Sequence, residues 1–365
     1  MTYPRIPYKA EGAPYETKNI PFATQEFDIP LIDFPITPKE NYKLSWKRKT
    51  PMWSPMSITD IDSTLIRRTH SAGSPYGGKE RFEYMDEWGC EWVYVPEAGG
   101  SMLKPGTKFL DDVTKWEKEV KFPDWKDSDW KESADNFNKT RRNPAKAFSL
   151  NFAEGCTQML VALLGGYGEG MLAMAEEPEA CTDFFEAYTD SMIVRYDLLR
   201  EYYPDVDVIG YNDDWGNEKS TFFSAKYFED MVYAPTKRLI DHIKASGDVA
   251  FELHSCGRVE SFVPYMIDLG VDILQIQRRA NDMPALKEKY GDKIGFCCHI
   301  EGLEQDAKTP KEEWLKKLRN TIDIYGRLGG LYIVFGAPPD PETMWDMCYE
   351  GYCYSREMYD KERGS

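Results

Sequence analysis

The chain is 365 residues long and 42% hydrophobic, with 14% aromatic residues, enough apolar material for one large α/β barrel or two small domains. A formal net charge of -17 excludes nucleic acid, an anionic membrane surface and polyanions as main partners, and leaves neutral small molecules and other proteins. The eight cysteines lack the spacing of a disulfide framework, so a reducing cytoplasm is the expected home.

Residues 1–36 are rich in Pro, Tyr and aliphatic side chains, without the basic stretch and apolar block of a targeting peptide. They predict an extended arm that wraps the domain or a second subunit; the second arrangement implies a homodimer. No run of 18 apolar residues reads as a membrane span. A single domain over 37–365 begins at Thr37-Pro38-Lys39-Glu40, where a cap residue, a first-turn Pro and an acid start a helix. A first strand is expected at 51–56 and another after the turn at 86–89. The stretch 110–145 reads as helix and loop with Trp anchors.

From residue 147 strands and helices alternate. Strands are expected at 147–152, 206–211, 251–257, 271–277, 294–300 and 331–335. Helices are expected at 157–164, 177–203, 225–246, 258–269, 283–290, 310–328 and from 349 to the end. The glycines at 165, 166, 168 and 170 follow a helix and lack a Lys-Ser/Thr, so they read as a turn and not as a phosphate cradle. Short strands joined by helices form parallel sheets, and at least six of them without a dinucleotide loop favour a closed (β/α)8 TIM barrel.

In that fold the chemistry sits at the C-terminal strand ends. Asn151 and Glu154, Asp213 and Asp214, His254 and Cys256, Gln275 and Gln277, and Cys298 and His299 all fall there. Strand alternation puts Glu252, His254 and Cys256 on one face. An imidazole and a thiol two residues apart suit half of a zinc site. One of Asp213 and Asp214 is expected to cap a helix. Trp215, Phe152, Phe296 and Phe335 would give the mouth an aromatic wall.

Three motifs, Asn212-Asp213-Asp214-Trp215-Gly216, His254-Ser255-Cys256-Gly257 and Val271-Asp272-Ile273-Leu274-Gln275-Ile276-Gln277, resemble in order and spacing the uroporphyrinogen decarboxylase superfamily. They are most similar to its corrinoid-dependent methyltransferase branch, over roughly 37–345. The resemblance implies a (β/α)8 barrel with its active site in the mouth. Decarboxylases of this superfamily carry an arginine-rich Met-Arg-Gln-Ala-Gly-Arg signature; the region around 53–68 has only Arg67-Arg68. The methyltransferase branch holds zinc with a His-x-Cys pair and a later Cys. His254 and Cys256 match the pair, but the last strand ends in Val334-Phe335-Gly336-Ala337 without a cysteine.

The resemblance therefore implies a methyltransferase that moves methyl from a methoxylated aromatic to the Co(I) corrinoid of a partner protein. Catalysis falls to Asp213, Asp214 and His254, with Asn151, Glu154, Trp215, Gln277 and Phe335 binding substrate. Zinc would sit on His254 and Cys256 with a third ligand from elsewhere, Cys298 first, with Glu252, Asp213 and His299 as the other candidates. No Asp-x-His-x-x-Gly corrinoid loop occurs, so the corrinoid is expected on a separate protein. The competing readings are methyl transfer from corrinoid to a thiol or folate, decarboxylation, and a non-catalytic barrel that binds a small molecule.

Overall fold

The computed structural model describes residues 2–20, 25–65, 80–98, 100–127, 129–300 and 309–364. Arg67 and Arg68 lie outside the described residues. In chain order the strands are β1 (Tyr15–Asn19), β2 (Glu26–Pro30), β3 (Ile61–Leu65), β4 (Phe82–Met85), β5 (Glu91–Val95), β6 (Gly100–Leu103), β7 (Ala147–Glu154), β8 (Val208–Asn212), β9 (Ala250–Ser255), β10 (Ile273–Ile276), β11 (Gly295–His299) and β12 (Leu331–Val334). Seven of them form one sheet in the order β12-β11-β10-β9-β8-β7-β3. All its pairings are parallel. Each strand lies beside its predecessor in this series, as short crossovers through helices require.

The sheet closes through the segment ahead of β3. Met56 bridges Ile333 in parallel. Ser57 N–H donates to Ile333 O, and Ile333 N–H to Pro55 O, both at 2.9 Å. The α/β barrel is as expected. Its first strand, however, starts at Ile61 and not at 51, and the described residues show seven strands. Pro51 and Pro55 carry no N–H, so the stretch between them cannot sustain a ladder.

Alternation along the strands separates two environments. Ile61, Ala147, Val208, Ala250, Ile273 and Cys297 face the lumen with Tyr42 and Trp46. Phe148, Leu150, Ile209, Phe251, Leu253, Leu274, Phe296 and Ile333 face the helical layer. The helix Pro38–Trp46, which supplies Tyr42 and Trp46, plugs the N-terminal end of the barrel. It starts with a capping box between Thr37 and Glu40. The Asn41 amide ties it to the closing segment, donating to Trp53 O at 2.8 Å and accepting from Met52 N–H at 2.7 Å.

The arm is a β1–β2 hairpin packed on the C-terminal helix of its own chain, which begins at Pro341 and not at 349. Phe27 and Ile29 are fully buried there. The Trp345 indole donates to Ile6 O at 2.7 Å. Where one strand was expected near 88–95, β4, β5 and β6 make a three-stranded antiparallel sheet. Its strands are only four or five residues long, too short for alternation to mark them.

Asp60 organises the closing segment. Its fully buried carboxylate accepts from the Trp53 indole at 2.6 Å, Met56 N–H at 3.1 Å and the Thr59 hydroxyl at 2.5 Å. Burial outweighs these donors and raises its pKa from 3.8 to about 6. The folded state then binds the proton more tightly than the unfolded chain, so this group's contribution falls as pH rises between 3.8 and 6. Over that window wild type should lose about 2 kcal/mol relative to Asp60→Asn. Urea unfolding at pH 4, 5 and 6 checks this; parallel profiles for the two proteins would contradict it.

Candidate functional site

The ends of β8 and β9 are stitched together by their own turns. Asp213 N–H donates to His254 O at 3.0 Å, and Trp215 N–H to the Ser255 hydroxyl at 3.0 Å. Cys256 N–H donates to Asp214 Oδ1 at 2.7 Å, and Arg258 N–H to Asn217 O at 2.7 Å. The two backbones touch where both turns carry glycine. A Cβ on Gly257, whose φ is +81°, would lie 2.1 Å from the carbonyl carbon of Gly216. The Asn-Asp-Asp-Trp-Gly and His-Ser-Cys-Gly motifs are thus two halves of one construction.

That construction brings three donors together. The ligand atoms of Asp214, His254 and Cys256 lie within 4.8 Å of one another, all half-buried. His254 Nε2 is 3.4 Å from Cys256 Sγ and 3.7 Å from Asp214 Oδ1. The Gln277 amide braces the set, accepting from Gly257 N–H at 3.0 Å and donating to Cys256 Sγ at 3.4 Å. Burial and the Asp214 charge push the Cys256 thiol up to about 12. A divalent cation among these groups would relieve that penalty. One imidazole, one thiolate and one carboxylate are a donor set zinc accepts, with a fourth position open to substrate.

The side chain that the structure brings beside His254 and Cys256 is Asp214, and not one of the four expected as the third ligand. Cys298 is buried on the helix-facing side of β11, in the core with Phe296. Cys297 instead faces the lumen, where it meets the Gln275 amide at 3.3 Å. Glu252 also faces the lumen, two residues deeper than His254 and outside the three-donor cluster. Burial pushes its carboxyl up to about 7. Asp213 serves the helix Cys156–Leu164: its fully buried carboxylate accepts from the Thr157 hydroxyl and from Gln158 N–H at 2.9 Å. Burial holds it at about 6, and it makes a cap, not a mouth acid. Gly155 allows this approach, because a Cβ there would meet Asp213 Cγ at 2.0 Å.

Asn151 accepts from the Asn212 amide at 3.0 Å within the lumen. Glu154 pairs in register with Asn212, and its charge reaches Cys256. His299 ends β11, and desolvation of its ring, with His254 and Arg278 nearby, lowers its pKa. The expected aromatic wall lies elsewhere. Trp215 is fully buried against Phe228 at 4.9 Å; Phe152, Phe296 and Phe335 also belong to the core. The aromatic side chain at the cluster is Tyr167, which sequence reasoning assigned to a turn. Its hydroxyl donates to Gln158 Oε1 at 2.9 Å and lies 3.4 Å from Asp214 Oδ2, and its ring stacks on Phe222 at 4.4 Å. A helix resumes at Tyr167 directly after the Gly165 cap.

A family model described as uroporphyrinogen decarboxylase matches residues 85–338. The chain belongs to the uroporphyrinogen decarboxylase family. A methionine synthase from Methanothermobacter thermautotrophicus is 35% identical over 104 residues, 26% of this chain and 32% of that protein. The likeness thus spans about a third of the relative. Among solved structures, a methyltransferase from Methanosarcina mazei superposes with a TM-score of 0.61 at 13% identity, covering 89% of this chain and 99% of that one. It shares the barrel fold.

The uroporphyrinogen decarboxylase family barrel here presents Asp214, His254 and Cys256 as its candidate metal donors. After dialysis against a chelator, Asp214→Ala, His254→Ala and Cys256→Ala should each weaken zinc retention by more than about tenfold. Cys298→Ala should retain zinc like wild type. Metal analysis of the four variants checks this, and equal zinc in all of them would remove the assignment.

Proposed function

We propose that this chain is the methyl-donor-side methyltransferase of a corrinoid system. It takes the methyl group of a methoxylated aromatic and passes it to the Co(I) corrinoid of a partner protein. The observation that carries this reading is the carboxylate of Asp214 beside His254 and Cys256. A hard oxygen donor in place of a second soft thiolate turns the set toward an oxygen-bearing substrate and away from a thiol. The likeness to a methionine synthase and the fold shared with a methyltransferase support methyl transfer as the chemistry.

In the displacement, Co(I) attacks the methyl carbon, the carbon–oxygen bond breaks and its electron pair stays on the oxygen. The leaving oxygen is therefore where negative charge develops and where catalysis must act. Zinc held here would supply a Lewis acid for that oxygen. Asp214 and Cys256 are held by one hydrogen bond between them, so the donors are preorganised before substrate arrives. Burial, with Asp214 beside it, keeps the Tyr167 hydroxyl protonated and able to donate at the edge of the cluster. Gln277 fixes the Cys256–Gly257 turn. The methyl group faces the open mouth, where the partner's corrinoid would dock.

The protein mixed with reduced cobalamin and a panel of methoxyarenes should convert Co(I) to methyl-Co(III), seen in the visible spectrum. His254→Ala should slow this by about 10²-fold or more. No cobalt methylation with any ether, together with demethylation of methylcobalamin by a thiol or folate, would reverse the direction of transfer.

A further inference from the structure

We propose that the barrel lumen beneath the Asp214–His254–Cys256 cluster holds the leaving group, and that Glu252 there selects methoxyarenes with a free hydroxyl over those with a carboxylate. This rests on the O-demethylation reading and names its substrate class. Glu252 and His254 sit on the same face of β9, about 7 Å apart along the strand. That is the length scale of a benzene ring with an oxygen at each end. With the methoxy oxygen at the cluster and the methyl toward the mouth, the ring points down the lumen and its far end meets Glu252.

Beside Glu252 the lining leaves space at Gly210. Glu252 pairs in register with Gly210. A Cβ on Gly210 would touch only the backbone of β7, at 3.6 Å, and nothing across the lumen. Ser149, Asn151, Asn212 and Gln275 keep part of their surface accessible around it. The floor is the plug, where Tyr42 and Tyr332 feel the charge of Glu252. The Tyr42 hydroxyl is buried there without a hydrogen-bond partner.

Among the described residues Glu252 makes no hydrogen bond or ion pair, although its carboxyl lies deep in the protein. Among the described residues, those placed around it below the cluster, Ser149, Asn151, Asn212, Gln275, Tyr42 and Tyr332, carry no charge. A carboxylate at the far end of a substrate would be desolvated without a countercharge. A hydroxyl would donate to Glu252, whose carboxyl accepts in either protonation state. The lining therefore complements a donor and disfavours an anion.

Isothermal titration with the demethylated products tests this apart from methyl transfer. Hydroquinone, the product from 4-methoxyphenol, should bind wild type about 10-fold or more tighter than 4-hydroxybenzoate. Glu252→Gln should erase most of that preference while retaining zinc. Equal binding of the two products to wild type, no binding of either, or an undiminished preference in a folded Glu252→Gln protein would overturn the proposal. The wild-type comparison decides even where the variant fails to fold. If hydroquinone is preferred yet no ether methylates cobalt, the pocket stands and the methyl-transfer reading fails.

Discussion

The site depends on one contact, the seam between the turns that end β8 and β9. Four backbone N–H groups cross it, one of them to the Asp214 carboxylate. A backbone group buried without a partner is costly, so the seam satisfies what two strand ends would otherwise leave open. The same contact sets the distances among Asp214, His254 and Cys256. Glycine is required at 257, where a Cβ would lie 2.1 Å from the Gly216 carbonyl carbon, and the fit at 216 is tight, with Ser220, Val259 and Arg258 atoms at 3.0–3.2 Å from a Cβ there. Shape and chemistry are therefore coupled: a change that separates the turns also disperses the donors.

The two carboxylates of the Asp-Asp pair show how neighbours diverge by environment. Asp213 points into the protein, caps a helix and is fully buried. Asp214 points into the mouth and stays half-buried. Below them the lumen is polar where most barrel cores are filled by branched aliphatics. Ser149, Asn151, Gly210, Asn212, Glu252 and Gln275 leave room and hydrogen-bonding capacity. The apolar packing that stabilises the barrel is moved to its outer face and to the plug of Tyr42 and Trp46. This division separates stability from function within single strands.

Most of the barrel was legible from residue 147 onward, because buried parallel strands and amphipathic helices leave strong periodic signals. The first strand was misplaced because prolines interrupt the segment that closes the barrel. The β4–β6 sheet was mostly missed because its strands are too short to show a period. For the site, alternation correctly set Glu252, His254 and Cys256 on one face. It could not decide which of Cys297 and Cys298 faces the lumen, since both are buried and adjacent. Local sequence also cannot reveal that Asp214 reaches across to Cys256, a contact between residues 42 positions apart. Trp215 was assigned to the mouth from its place after a strand end, but it turns outward to fill the space between helices. Tyr167 was passed over because the glycines before it dominate the reading.

The most direct test of the central claim is X-ray absorption at the zinc edge of the zinc-loaded protein. The seam as described requires one sulfur at about 2.3 Å and the remaining nitrogen and oxygen donors at about 2.0–2.2 Å, with the sulfur lost in Cys256→Ala. A first shell with two sulfurs, or one unchanged by loss of Cys256, would contradict the account.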